Sequence, residues 1–146
     1  MTTIPFSSAL SFVLKWEGWR SDDQHDPGGR TVWGITARDY PTEVAAMWGM
    51  PKEDSKKIAS AIYKAKYWEP SGCDAYDPPW SLIVFDTAVN CGVGRAVQWI
   101  DEVDTWQGYL FRRLEHYASL GIFKAFGKGW VNRVIDLFKE ASKYET

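Results

Sequence analysis

Between Trp80 and Cys91 the chain places Leu82, Ile83, Val84, Phe85, Ala88 and Val89 around a single charge, Asp86. Wound at helical pitch, these apolar side chains fall on nearly every side, and such a helix is stable only with other elements packed all around it. The remainder of the chain must supply that shell, and 146 residues suffice for it in one compact domain. Asp86 must then be hydrogen-bonded or paired, because an isolated buried carboxylate is too costly. A backbone N–H, Arg112, Arg113 or Arg133 would make it structural, and a catalytic role is the rival assignment.

The shell is legible as periodic stretches. Phe6, Ala9, Leu10, Val13 and Leu14 recur at helical spacing and predict a first helix from Phe6 or Ser7 to Glu17, with a serine as cap. Asp26-Pro27-Gly28-Gly29 is turn chemistry, and Thr31 to Ile35 has the β-branched and aromatic content of a short strand. Thr36-Ala37-Arg38-Asp39 has the form of a capping box and predicts a short helix there, with Tyr40-Pro41 as an interruption. A weaker helical piece through Glu43 to Met47 ends at Gly49. Asp54 reads as the cap of a firm helix whose inner stripe is Ile58, Ala61, Ile62, Ala65 and Trp68. Beyond the apolar segment, helices are expected over Gly94 to Ile100, along Trp106, Leu110, Arg113, Leu114 and Tyr117, and along Trp130, Val134, Leu137, Phe138 and Ala141. Gly127 and Gly129 mark a break or close packing near the start of the last one. The predicted class is mainly α, or α+β in detail: six to eight helices with one small β-hairpin near residues 22–36, in a single domain over residues 1–146.

The chemistry concentrates at the end of the first helix, in Trp16-Glu17-Gly18-Trp19. Glu17 falls on or beside the apolar stripe, and Gly18 lets the helix stop at once. Partial burial and the negative end of the helix dipole both disfavour a charged carboxylate there. A glutamate held protonated near neutral pH suits a general acid. A loop folding back over this helix end would bring Asp26 and Thr31 toward Glu17, and an acid, a second carboxylate and a hydroxyl around a cleft suit glycosidic bond cleavage.

Charge and composition exclude other classes. A net charge of −2 gives no support for nucleic-acid binding. Residues 107–146 carry seven Lys or Arg against four Asp or Glu, an excess that suits an anionic wall or a solvated helical surface equally. Two cysteines, Cys73 and Cys91, make no zinc site; they read as buried free thiols of a reducing cytoplasm, with a single disulfide between them as the alternative. No window approaches a transmembrane span, and Met1 to Phe6 lack the basic and apolar regions of a signal peptide. Nine tryptophans are an unusual number; most are expected in the core, and two or three as flat platforms for sugar C–H faces.

In order, the blocks Glu-Gly-Trp at Glu17, Asp-Pro-Gly-Gly at Asp26, Thr31, Trp33-Gly34-Ile35-Thr36, Ala61-Ile62-Tyr63, Tyr67-Trp68, Phe85 to Asn90 and Gly129 to Val134 resemble the glycoside hydrolase family 108 muramidases, found among phage endolysins and bacterial lysozyme-like proteins. The resemblance implies a lysozyme-like fold and places Glu17 at the family's catalytic glutamate. That residue sits in a Glu-Gly-Gly motif in the family, whereas this chain has Trp19 in place of the second glycine. Glu17, Asp26 and Thr31 are similar to the glutamate, aspartate and threonine set of the wider phage-type lysozymes, and Trp33, Tyr67 and Asn90 are the candidate substrate-binding residues. The segment after Ile100 is shorter than in the family, so no separate wall-binding module is expected. The implied activity is hydrolysis of the β-1,4 bond between N-acetylmuramic acid and N-acetylglucosamine in peptidoglycan, with no metal or organic cofactor. A lytic transglycosylase acting on the same bond and a non-catalytic peptidoglycan-binding protein are the alternatives. The expected partners are peptidoglycan glycan strands. Neither nucleic acid nor stable membrane insertion is expected, and the chain is expected to be a monomer. It would accumulate in the host bacterial cytoplasm without a signal peptide and reach the periplasm and wall at lysis, through a lesion made by a separate membrane-permeabilising protein.

Overall fold

A computed structural model describes residues 6–25 and 27–144. They form two compact units, one over residues 6–66 and one from Tyr67 onward. Seven α-helices and a three-stranded antiparallel sheet lie among the described residues, a mainly α fold as expected.

The first unit begins with α1 (Phe6–Glu17), which buries Ala9, Leu10, Phe12, Val13 and Leu14. Ser7 lies within this helix rather than capping it. The sheet follows in strand order β1 (Arg20–Ser21), β2 (Thr31–Val32) and β3 (Ile35–Thr36). It has one strand more than a hairpin and starts two residues earlier than expected. Its register puts Ser21 beside Thr31 and Thr31 beside Thr36, while Arg20, Val32 and Ile35 form the neighbouring row. Side chains alternate across a strand, so the hydroxyls share one face and the buried Val32 and Ile35 hold the other. Helix α2 (Pro41–Trp48) packs on the sheet through Val44 and Met47.

The capping box expected at Thr36 makes only a turn. Thr36 Oγ1 does accept from the Asp39 N–H at 3.2 Å. Tyr40 precedes a proline, which pushes it out of the helical region to φ −134° and ψ 65°. The helix therefore restarts at Pro41, a first-turn position where a missing N–H costs nothing.

Helix α3 (Lys52–Tyr63) starts ahead of Asp54, which sits in its first turn beside Glu53. Its inner stripe differs from the expected one. Ser55, Ala59 and Tyr63 are buried, Ile58 and Ile62 half-buried, and Ala61 and Ala65 exposed. The polar members of the true stripe have polar partners, given below, which apolar periodicity cannot reveal. A π-helical turn (Lys64–Trp68) then shifts the phase and leaves Trp68 buried.

In the second unit α4 (Trp80–Cys91) is the buried centre, with every residue from Ser81 to Ala88 out of solvent. Burying each of Leu82, Ile83, Val84 and Phe85 is worth about 1.5–3 kcal/mol. Around it pack α5 (Val93–Gln98), α6 (Trp106–Ser119) and α7 (Phe123–Ser142). Thr105 caps α6 by accepting from the Gly108 N–H at 3.0 Å. Helix α7 runs unbroken through Gly127 and Gly129. At Gly127 the reason is close packing: a Cβ there would come within 2.5 Å of the Phe123 ring.

Asp86 is fully buried and structural. Arg133 donates to its carboxylate through Nη2 at 2.8 Å, and Arg113 through Nη1 at 2.8 Å. Arg112 turns outward to Glu102 instead. Burial alone would raise the Asp86 pKa, but the two guanidinium charges outweigh it and hold the carboxyl below its usual value. Cys73 and Cys91 are buried free thiols, as expected. Burial, with the Asp74 charge adding to it, pushes the Cys73 thiol up to about 12.

Candidate active site

Glu17 is the last residue of α1 and half-buried. Gly18, at φ +78°, ends the helix while its N–H still reaches the Leu14 carbonyl at 3.0 Å. The carboxyl group lies against the tip of the β2–β3 hairpin. There Trp33 and Gly34 form a two-residue turn, both with positive φ, 53° and 77°. Primed turns of this kind match the strand twist, and glycine is the usual residue for such φ values.

At Gly34 the requirement is tighter than conformation. A Cβ on Gly34 would lie 2.6 Å from Glu17 Oε2, 3.0 Å from Glu17 Cδ and 3.0 Å from the Tyr63 hydroxyl. The bare Cα is thus the floor on which the acid rests, with the phenol beside it. The hairpin tip is pinned from three directions. The Trp33 N–H donates to the Trp19 carbonyl at 2.6 Å, and Tyr63 donates its hydroxyl proton to the Trp33 carbonyl. The Trp33 indole N–H donates to Ser55 Oγ at 2.9 Å, which in turn donates to the Lys52 carbonyl at 2.7 Å. Hairpin, α1 and α3 therefore meet at the glutamate, and a group held by locked neighbours is what positioned acid–base chemistry needs.

Trp19, at the departure from the Glu-Gly-Gly motif, carries the Arg20 guanidinium 4.1 Å from its ring centroid. Its indole N–H is buried without a hydrogen-bond partner among the described residues. Trp33 is only 4% exposed, with Lys52 and Lys56 over its ring, so the structure gives it an anchoring part. Thr31 opens β2, half-buried, in the hydroxyl row with Ser21 and Thr36. Asp26 lies outside the described residues. Sequence reasoning did not single out Gly34 or Tyr63, although both stand in its motifs. The apolar stripe read from sequence gave no signal for Tyr63, whose inward phase goes with its hydrogen bond to the Trp33 carbonyl.

Tyr67 and Asn90 belong to the second unit. Tyr67 is half-buried in the π-helical turn. Asn90, in the last turn of α4, ends a relay that starts at Asp86. Arg113 bonds Asp86 and donates through Nε to the Tyr117 oxygen at 2.8 Å, and Tyr117 donates to Asn90 Oδ1. The Cys91 thiol lies 3.5 Å from the same oxygen. With its oxygen engaged from within, the Asn90 side chain keeps its two N–H donors for another acceptor.

The family model described as Glycosyl hydrolase 108 matches residues 10–92, which include Glu17, the hairpin, Tyr63, Tyr67 and Asn90. The chain belongs to glycosyl hydrolase family 108. It is therefore a glycoside hydrolase, of a family associated with peptidoglycan degradation. The family 108 chain is also similar to a solved structure from Brucella abortus, that of SagA. The two are 26% identical with a TM-score of 0.73, over 95% of this chain and 94% of that one. No curated protein matches it.

Proposed function

We propose that this family 108 enzyme is a muramidase that hydrolyses the β-1,4 bond between N-acetylmuramic acid and N-acetylglucosamine, with Glu17 as general acid. The observation that carries the reading is the seat of Glu17: its carboxyl packed on the bare Cα of Gly34 beside the Tyr63 hydroxyl. Glu17 protonates the leaving oxygen as positive charge develops on the sugar. Asp26 stabilises that charge or orients water, and Thr31 helps to hold the water. Asn90 donates from its amide to a substrate oxygen, and Tyr67 contributes to sugar binding. The substrate is the glycan strand, and the monomeric enzyme acts as an endolysin, released to the wall by a separate membrane lesion. No helix among the described residues is long and apolar enough to cross a membrane.

Mass spectrometry of fragments released from purified peptidoglycan tests this. Hydrolysis leaves fragments ending in reducing N-acetylmuramic acid. Anhydro ends would make the enzyme a lytic transglycosylase, and reducing N-acetylglucosamine ends would place the cut at the other glycosidic bond.

A further inference from the structure

Within the first unit, α1 and α3 enclose an open pocket of about 620 Å³ that none of the steps above uses. Its ionisable lining residues are Lys15, Lys52, Lys56 and Lys57, with no carboxylate among them. Ser7, Ser11 and Ser60 add hydroxyls, and Leu10 and Leu14 give it an apolar floor. Four lysines line one concavity, and the positive excess they give it favours an anionic ligand. Glu53 lies 3.2 Å from Lys56, but that pair is exposed and leaves an excess of positive charge.

Position narrows the ligand. Trp33 lines the pocket, and the next residue, Gly34, is the seat of Glu17. Along α1 the lining residues run back from Lys15 to Ser7, two to ten residues before Glu17. At 1.5 Å per residue, that is a path from about 3 to about 15 Å from the acid along the helix axis. An extended peptide of four residues spans about 13–14 Å. The peptide stem of peptidoglycan hangs from the muramic acid, so it leaves the glycan at the bond being cut. It carries carboxylates for the lysines and alanine methyls for the leucine floor. Lysines are flexible point charges that can follow carboxylates at several positions, whereas an arginine fork suits one fixed geometry.

We infer that this lysine pocket between α1 and α3 binds the carboxylates of the muramyl peptide stem, which makes the stem part of the substrate. The inference rests on the muramidase reading for its choice of ligand, and its test does not depend on turnover.

The probe is a synthetic tetrapeptide stem with free carboxylates, titrated calorimetrically into the full chain. The wild type should bind it. Amidation of its carboxylates, or the exposed charge reversal Lys57→Glu with an unchanged melting temperature, should weaken binding at least tenfold. On intact peptidoglycan the Lys57→Glu variant should show a KM raised about tenfold with kcat kept. On glycan strands stripped of stems, variant and wild type should be equal. Absence of binding to the free-carboxylate stem would overturn the inference, as would equal losses on stripped and intact strands. Inorganic phosphate displacing the stem at lower concentration would make the pocket a phosphate site and overturn it too. A chain that binds the stem but cuts neither substrate would sink the muramidase reading and leave the pocket standing. A chain that cuts the wall without binding the stem does the reverse.

Discussion

Gly34→Ala moves the proposed acid without altering it. The added methyl would sit 2.6 Å from Glu17 Oε2 and 3.0 Å from its Cδ, well inside contact distance, while an ordinary neighbour stands beyond 3.4 Å. The hairpin tip is held by Trp19, Ser55 and Tyr63, so the freer partner, the glutamate side chain, must give way by about 1 Å. A misplacement of about that size at a reacting group can cost about 10²-fold in rate. Forcing a non-glycine residue into positive φ costs a further 1–3 kcal/mol or so of stability, which at about 2–4 °C per kcal/mol lowers Tm by roughly 2–12 °C. Gly72→Ala separates the two effects. Gly72 has a similar φ of +69°, but a Cβ there meets nothing within 4 Å. Both variants should therefore melt earlier by similar amounts, and only Gly34→Ala should lose about 10²-fold in clearing of purified peptidoglycan below its melting range. A folded Gly34→Ala protein with wild-type turnover would refute the seat proposed for Glu17.

Other expectations follow from the second unit. Asp86→Ala strands two buried guanidinium groups and should cost about 3–5 kcal/mol, read as a large drop in thermal or denaturant midpoint. Because the folded-state pKa of Asp86 is lowered, its contribution is complete above the unfolded value of about 4 and lost as pH falls through the folded value. Melting temperature should accordingly fall off below about pH 4 in the wild type, with the Asp86 component of that fall absent in Asp86→Asn. Tyr117→Phe breaks the relay between Arg113 and Asn90; it should destabilise by about 1–3 kcal/mol and, where Asn90 contacts substrate, raise KM more than it lowers kcat. Cys73, with its thiol pushed up to about 12, should resist alkylation at pH 8 in the folded protein and react on unfolding, mapped by peptide mass spectrometry.

The elements read most directly from sequence were those whose stability is mainly apolar. The segment through Leu82, Ile83, Val84 and Phe85 declared a buried helix, and α1 followed its stripe from Ala9 to Leu14. Arg113 was traceable as a partner of Asp86, since it shares a helical line with Trp106, Leu110 and Tyr117, and all four are buried. Where polar bonds set the phase, periodicity misled. Ser55 and Tyr63 face inward because Trp33 supplies a donor and an acceptor for them, a pairing that spans 22 and 30 residues of sequence. Strands of two residues carry too little alternation to show β1, and Tyr40-Pro41 displaced a helix start that Thr36 had signalled. At the candidate site Glu17 was legible from its motif and its place at a helix end. The seat was not, because nothing in a sequence tells which atom will rest on a glycine's bare face.

Glu17 is the proposed proton donor. Glu17→Gln keeps the size of the side chain, and its amide cannot protonate a departing oxygen. General acid catalysis is worth about 10²–10⁴-fold, so wall clearing should fall by that order while melting temperature and wall pelleting match the wild type. Clearing and melting should be measured on one preparation. A folded Glu17→Gln protein that clears peptidoglycan at the wild-type rate would show that Glu17 is not the acid.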